Sequence, residues 1–225
     1  MATRRLLTDL VTAYRAASPD DAITVESLGG VDAAKRVAAG EPCDIVVLAS
    51  GALEKLIVQG HVQAGSRVDV VQSPVALAIK AGAPRPAIGS EDEVREAVSR
   101  ARSIGYSTGP SGDHLLALLD RWGARAAMQD RIVQAPPGVP VASLVASGDV
   151  ELGFQQLSEF MNAAGIEVVG LLPASLQNIT IFAGGIARVS AAKERARSLL
   201  AFMASSEVDA LKRQHGMEPA TGRQV

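Results

Sequence analysis

The sequence predicts an α/β protein built as two units, each a mixed sheet wrapped by helices. Three observations carry that expectation. Amphipathic helical patterns alternate with short apolar runs along most of the 225 residues. The run "CDIVVLAS" has the unbroken hydrophobicity of a parallel strand covered on both faces. The long β-rich passage "SRVDVVQSPVALAIKAG" is interrupted at Pro74, and a proline there suits a bulge, an edge or a crossing between units.

Taken in order, Leu6, Leu7, Leu10, Val11 and Tyr14 fall at helical spacing and predict a helix over 4–17. "SPDD" ends it, and "AITVESL" reads as a short strand. "VDAAKRVAAG" is an Ala-rich helix stopped at Gly40, "CDIVVLAS" a strand and "GALEKLIVQGHV" a short helix. Past Pro74 the pattern repeats. "EDEVREAVSRA" is a helix with acids in its first turn, "SIGYST" a strand, "HLLALLDRWG" a helix, "RIVQA" a strand, "PVASLVASG" a helix and "VELGFQQ" a strand. "NITIFAGGIAR" is again β-rich, and two helices around "AKERARSLLAFMAS" and "SEVDALKRQH" close the chain, their simplest use being a return to the first unit.

Composition narrows the partners. The formal charge is -2, and Lys and Arg are spread along the chain, so no footprint for nucleic acid or a membrane surface is visible. No apolar run approaches the roughly 18 residues of a membrane span, so direct insertion is not expected. The single Cys43 excludes an internal disulfide and reads as a small buried hydrophobe. There is no export leader in these residues: the expected location is cytoplasmic if Met1 is the native start and periplasmic if a leader has been removed. No metal-ligand spacing and no nucleotide fingerprint is present, so neither a metal nor a cofactor is expected.

Four phrases in order, "AAKRVAAGEPCDIVVLASGALEKLIVQGHV", "PVALAIKAGAP", "VASLVASGDVELGF" and "LLAFMASSEVDALKRQHGMEP", resemble the periplasmic molybdate-binding proteins and their relatives in the type 2 solute-binding superfamily. "STGPSG" and "QAPPGVPV" look more like the branch that binds or transforms small polycarboxylates, the bacterial aconitate isomerases among them. The resemblance implies a two-lobed type 2 periplasmic-binding-protein fold with two crossing strands as hinge, one lobe over 1–73 plus 181–225 and the other over 74–180. It also implies a small anion held in a cleft between the lobes, and a transporter membrane component as partner. That family begins with a strand and a serine-bearing loop; here the first helix starts almost at Met1, and Ala2 or Thr3 falls where the serine would be.

The candidate binding residues gather at helix beginnings, where unpaired N–H groups and the positive end of the helix dipole suit an anion. In "GPSG", Gly109 and Gly112 allow close approach and Ser111 adds a hydroxyl, although a serine cap on an ordinary turn is the plainer use. Gly29 and Gly30 precede a second helix, where the resemblance implies the serine-rich turn of molybdate binders; glycine and Val31 replace it, and the loss of hydroxyls argues against a tetrahedral oxyanion while the amides of Gly30 and Val31 could still serve a carboxylate. Gly138 aligns with a family position that donates a backbone N–H, and Pro140 suits the first turn of its helix. Gln156 falls at the family's ligand-contacting tyrosine with Gln155 beside it. Ser50 ends a strand, where ligands gather in open α/β sheets, or caps the following helix. Thr3, Arg4 and Arg5 stand near the first helix's start, and an arginine could fork a carboxylate.

For catalysis only Asp32, His114 and Glu159 offer themselves as a base; Asp32 also suits a plain dipole-stabilising role, and His61 and His215 read as loop and helix-end positions. The expected function is capture of a small anion by lobe closure, with a 1,3-proton shift on a tricarboxylic alkene as the alternative on the same scaffold.

Overall fold

The computed structural model describes residues 2–19, 21–136 and 138–220. The backbone divides into two compact units, Met1–Ser73 with Thr180–Val225 and Pro74–Ile179. The chain therefore crosses between them twice, at 73–74 and at 179–180.

The first unit opens with α1 (Arg4–Ala17), whose Leu6, Leu10, Val11 and Tyr14 are buried on one face. The strand expected over "AITVESL" does not form: residues 21–29 carry no regular structure. A strand needs a neighbour, and β1 (Ile45–Ala49) is laddered to one strand only. The segment instead tucks Ile23 against the α1 core, with the Arg15 guanidinium donating to the Ile23 carbonyl. After it come α2 (Gly30–Ala38), β1, α3 (Ser50–Val58) and β2 (Val68–Ser73).

In the second unit, β3 (Val75–Lys80) alternates by size. Val75, Leu77 and Ile79 face one core, and Ala76 and Ala78 face the other. There follow α4 (Glu91–Arg100), β4 (Ile104–Tyr106), α5 (Pro110–Arg121), α6 (Arg125–Met128), a 3-10 turn at Gln129–Arg131, β5 (Ile132–Gln134), α7 (Val141–Ser147), β6 (Leu152–Gln156), α8 (Leu157–Phe160) and β7 (Ile166–Leu171). α4 is capped as its sequence asks. Ser90 Oγ accepts from the Glu93 N–H at 3.2 Å, while Glu93 reaches back to the Gly89 N–H at 2.6 Å. The sheet runs β5-β4-β6-β3-β7, with β5, β4 and β6 parallel and β3 antiparallel to both of its neighbours. Large side chains of β3 meet Val94, Leu115 and Leu119 on one face; its alanines leave room for Val141, Val145 and Phe160 on the other.

The first unit is completed by β8 (Thr180–Ile186), α9 (Lys193–Ala204), a 3-10 turn at Ser206–Val208, α10 (Asp209–Gln214) and β9 (Glu218–Pro219). Its sheet order is β1-β8-β2-β9, and both β1 and β2 run antiparallel to β8. This corrects the parallel, doubly covered reading of "CDIVVLAS". β1 is an edge strand with alternating burial, so its continuous apolarity reports neither strand direction nor full cover on both faces. Tyr14 meets Phe202 of α9 edge to face at 5.3 Å, joining the two ends of the chain in one core.

Candidate functional site

In the second unit the carboxyl ends of three adjacent parallel strands share one sheet edge, the place where open α/β sheets hold ligands. β4 leads through Ser107, Thr108 and Gly109 into α5, and β6 leads through Gln156 into α8. The register pairs Tyr106 with Phe154, which brings Ser107 and Gln155 to neighbouring positions. Helix α5 begins at Pro110, so Ser111 and Gly112 lie inside its first turn and not in the turn before it, as the sequence suggested. Proline there has no N–H to leave unpaired. Gly112 answers to packing: a Cβ on it would fall 1.8 Å from the Ser107 carbonyl oxygen. Only a glycine lets α5 start this close to β4.

The polar side chains at that edge are buried and joined. Gln155 and Gln156 are each 1% exposed and Ser111 is 1% exposed. Gln155 Oε1 accepts from the Gln156 N–H at 3.0 Å, from Ser107 Oγ at 3.3 Å and from Ser111 Oγ. A backbone N–H can only donate, so this bond settles which end of the Gln155 amide is oxygen and directs Nε2 the other way. Three donors on an oxygen with two lone pairs leave one donor in surplus. Both serine hydroxyls can rotate, and the Gln156 N–H cannot. Neither Gln155 Nε2 nor the Ser111 N–H has an acceptor among the described residues. With the positive end of the α5 dipole added, this uncharged, donor-rich cluster is chemically complementary to an anion.

The remaining sequence candidates are placed as follows. Gly109 is the N-cap of α5 in extended backbone, its N–H donating to Ser107 Oγ at 3.3 Å. Gly138 has a φ of +81° in an exposed turn after β5, at the same sheet edge. Pro140 is the N-cap of α7, one residue before the first-turn place given to it. His114 is half-buried on α5, and its Nε2 lies 2.7 Å from the Leu176 carbonyl. A carbonyl only accepts, so Nε2 carries hydrogen; burial holds this imidazole below the usual histidine range, opposed in part by that bond. Glu159, in the first turn of α8, is half-buried, and burial pushes its carboxyl above the usual carboxylate range.

Thr3, Arg4, Gly29, Gly30, Val31, Asp32 and Ser50 belong to the first unit. Thr3 is buried at the start of α1, and Arg4 is exposed. Gly29 and Gly30 begin α2, near the carboxyl end of β1; a Cβ on Gly30 would meet Leu48 at 3.9 Å. Val31 and Asp32 are exposed. Ser50 is the first residue of α3 and not its cap, and no side chain caps that helix. Of the histidines outside the cluster, His215 pairs with Asp9 at 2.8 Å. Sequence reasoning passed over Ser107, although it ends a strand just as Ser50 does. Among the described residues no group of three His, Cys, Asp or Glu could hold a metal ion, and no helix is long and apolar enough to cross a membrane.

This arrangement, two α/β units joined by two crossings with a donor-rich strand edge, has the build of a type 2 solute-binding protein. The family described as bacterial extracellular solute-binding protein matches residues 1–218, and the chain belongs to it. Among its relatives, an aconitate isomerase from a Pseudomonas species is 37% identical over 191 residues, which cover 82% of this chain and 70% of the isomerase. The periplasmic molybdate-binding protein of Azotobacter vinelandii superposes with a TM-score of 0.77 at 23% identity, over 96% of this chain and 95% of that one. A substrate-binding protein of an ABC transporter from Agrobacterium tumefaciens gives a TM-score of 0.74 at 17% identity, over 93% and 74% of the two chains.

Proposed function

We propose that the chain captures a small di- or tricarboxylate by hinge closure, one carboxylate of the ligand lying at the start of α5. The observation that carries this reading is the donor surplus around Gln155: Ser107, Ser111 and the Gln156 N–H crowd one oxygen, while Gln155 Nε2 and the Ser111 N–H await an acceptor. A planar carboxylate offers two oxygens with four lone pairs and fits such a set without a lysine or arginine. Glycine and valine at 29–31 support a carboxylate over a tetrahedral oxyanion, since they bring no hydroxyl from the first unit. A receptor of this kind would work outside the cytoplasm with an ABC transporter's membrane component, which fractionation and co-purification would test.

Calorimetry of the purified chain with propane-1,2,3-tricarboxylate (tricarballylate), trans-aconitate and molybdate tests the ligand class. Carboxylate binding is expected, with about 2.7 kcal/mol of stabilisation at one hundred times Kd. Binding of molybdate alone, or of none of the three, would overturn the reading. The second reading, an isomerase acting on a tricarboxylic alkene, is favoured by the 37% identity to an aconitate isomerase. Proton exchange between trans-aconitate and solvent separates an enzyme from a receptor.

A further inference from the structure

We infer that Ser107 is the hydroxyl that turns from Gln155 to the carboxylate of the ligand, while Ser111 stays behind as a positioning residue that holds Gln155; this rests on the carboxylate-capture reading of the same site. Gln155 Oε1 has two lone pairs and three donors: the Gln156 N–H at 3.0 Å, Ser107 Oγ at 3.3 Å and Ser111 Oγ. One of the three is spare. The Gln156 N–H belongs to the backbone at the end of β6 and cannot turn away, so the spare donor is a serine.

The two hydroxyls differ in what else they have. Ser111 is 1% exposed, and among the described residues its Oγ makes no bond except the one to Gln155. Turned away from Gln155, it would be a buried hydroxyl without an acceptor, which is costly. Ser107 is only partly buried. Its Oγ also accepts the Gly109 N–H at 3.3 Å, a bond that fixes the oxygen and leaves the hydrogen free to rotate about the Cβ–Oγ bond. Ser107 is therefore the spare donor, pinned at the entrance to α5.

When a carboxylate arrives at the start of α5, the Ser107 hydrogen swings from Gln155 Oε1 to the ligand oxygen. A charged acceptor draws a hydroxyl more strongly than a neutral amide oxygen does, which favours the turn. No proton is transferred, and Gln155 loses nothing it needs, because Ser111 and the Gln156 N–H occupy both of its lone pairs. Removing either serine leaves Gln155 Oε1 with two donors; removing both leaves it with one. Ser111 thus acts on the ligand through Gln155 and Ser107: without it, Ser107 must choose between the amide and the carboxylate.

The test combines calorimetry with tricarballylate and thermal melting of the full chain and its serine variants. Ser107→Ala leaves Gln155 its two other donors, so its melting midpoint is expected within about 2 °C of wild type. Its Kd is expected to rise about tenfold or more, the loss of one charge-assisted hydrogen bond. Ser107→Thr, which keeps a hydroxyl, is expected to recover most of that affinity. Ser111→Ala should also melt close to wild type, because Ser107 takes over at Gln155, yet bind more weakly. The double variant is expected to melt about 2–4 °C below the sum of the two single shifts. Two serines sharing one partner give that non-additivity, and two independent structural serines do not. Binding by Ser107→Ala within about threefold of wild type would overturn the inference, and so would additive melting shifts. A wild type that does not bind tricarballylate would instead strike the carboxylate reading, and non-additive melting would then leave the two serines as interchangeable structural donors with no role toward a ligand.

Discussion

Replacing Gln155 by glutamate separates structure from binding at the proposed site. A glutamate carboxylate can keep every bond that Gln155 Oε1 now accepts, from Ser107, from Ser111 and from the Gln156 N–H. Its charge is favoured by those donors and by the start of α5. Those donors offset part of the cost of burying a charge at a side chain 1% exposed, so stability should fall by about 1–3 kcal/mol. Binding should not survive. The donor Nε2 is lost, and a negative charge now faces the anion: at about 4 Å and an effective dielectric near 20, the repulsion is about 4 kcal/mol, roughly a thousandfold in Kd. Gln155→Leu removes the one oxygen that accepts from Ser107, Ser111 and the Gln156 N–H, at a cost of about 1–3 kcal/mol. Urea unfolding followed by circular dichroism reads the stability, and calorimetry with tricarballylate reads the affinity. A Gln155→Glu protein that binds within tenfold of wild type would refute the reasoning.

Gly112→Ala drives a Cβ to 1.8 Å from a backbone oxygen, so α5 must move; the expected cost is about 1–3 kcal/mol or more in urea unfolding, with weaker ligand binding by calorimetry. Gly109→Ala, whose Cβ would meet Ser107 Oγ at an ordinary 3.5 Å, should leave stability within about 1 kcal/mol. His114 is held below its usual range chiefly by burial, so the unfolded chain binds its proton first. The stability it contributes is complete above the unfolded value of about 6.5 and is lost as pH falls below it. Thermal midpoints between pH 7.5 and 5 should fall on acidification, and His114→Gln should flatten that slope. Ser111→Ala removes one of two rotatable donors on the Gln155 oxygen, so it should weaken tricarballylate binding measurably while costing about 1 kcal/mol or less in stability.

Local pattern carried much of the architecture. The 3.6-residue spacing of Leu6, Leu10 and Tyr14 marks α1, and Pro74 falls where β2 ends and β3 follows. What the sequence left open depends on neighbours. "AITVESL" has strand composition, but a strand is completed by hydrogen bonds to another segment, and none is laddered to the free edge of β1. Short elements escape periodicity for a different reason: the four residues of α8 span little more than one turn. The Ser111 and Gln155 contact joins residues 44 apart and follows from the register of β4 against β6, which no spacing in the sequence encodes. That same register gives Ser107 its place, and without it the hydroxyl looked like part of an ordinary turn.

The direct measurement is a titration of the isotopically labelled chain with tricarballylate, observed through its backbone amide and glutamine side-chain NMR signals. Saturable shifts centred on the Ser111 N–H and on Gln155 Nε2, absent in Gln155→Glu, are the expected result. Saturable binding that leaves those two signals unmoved would contradict the account.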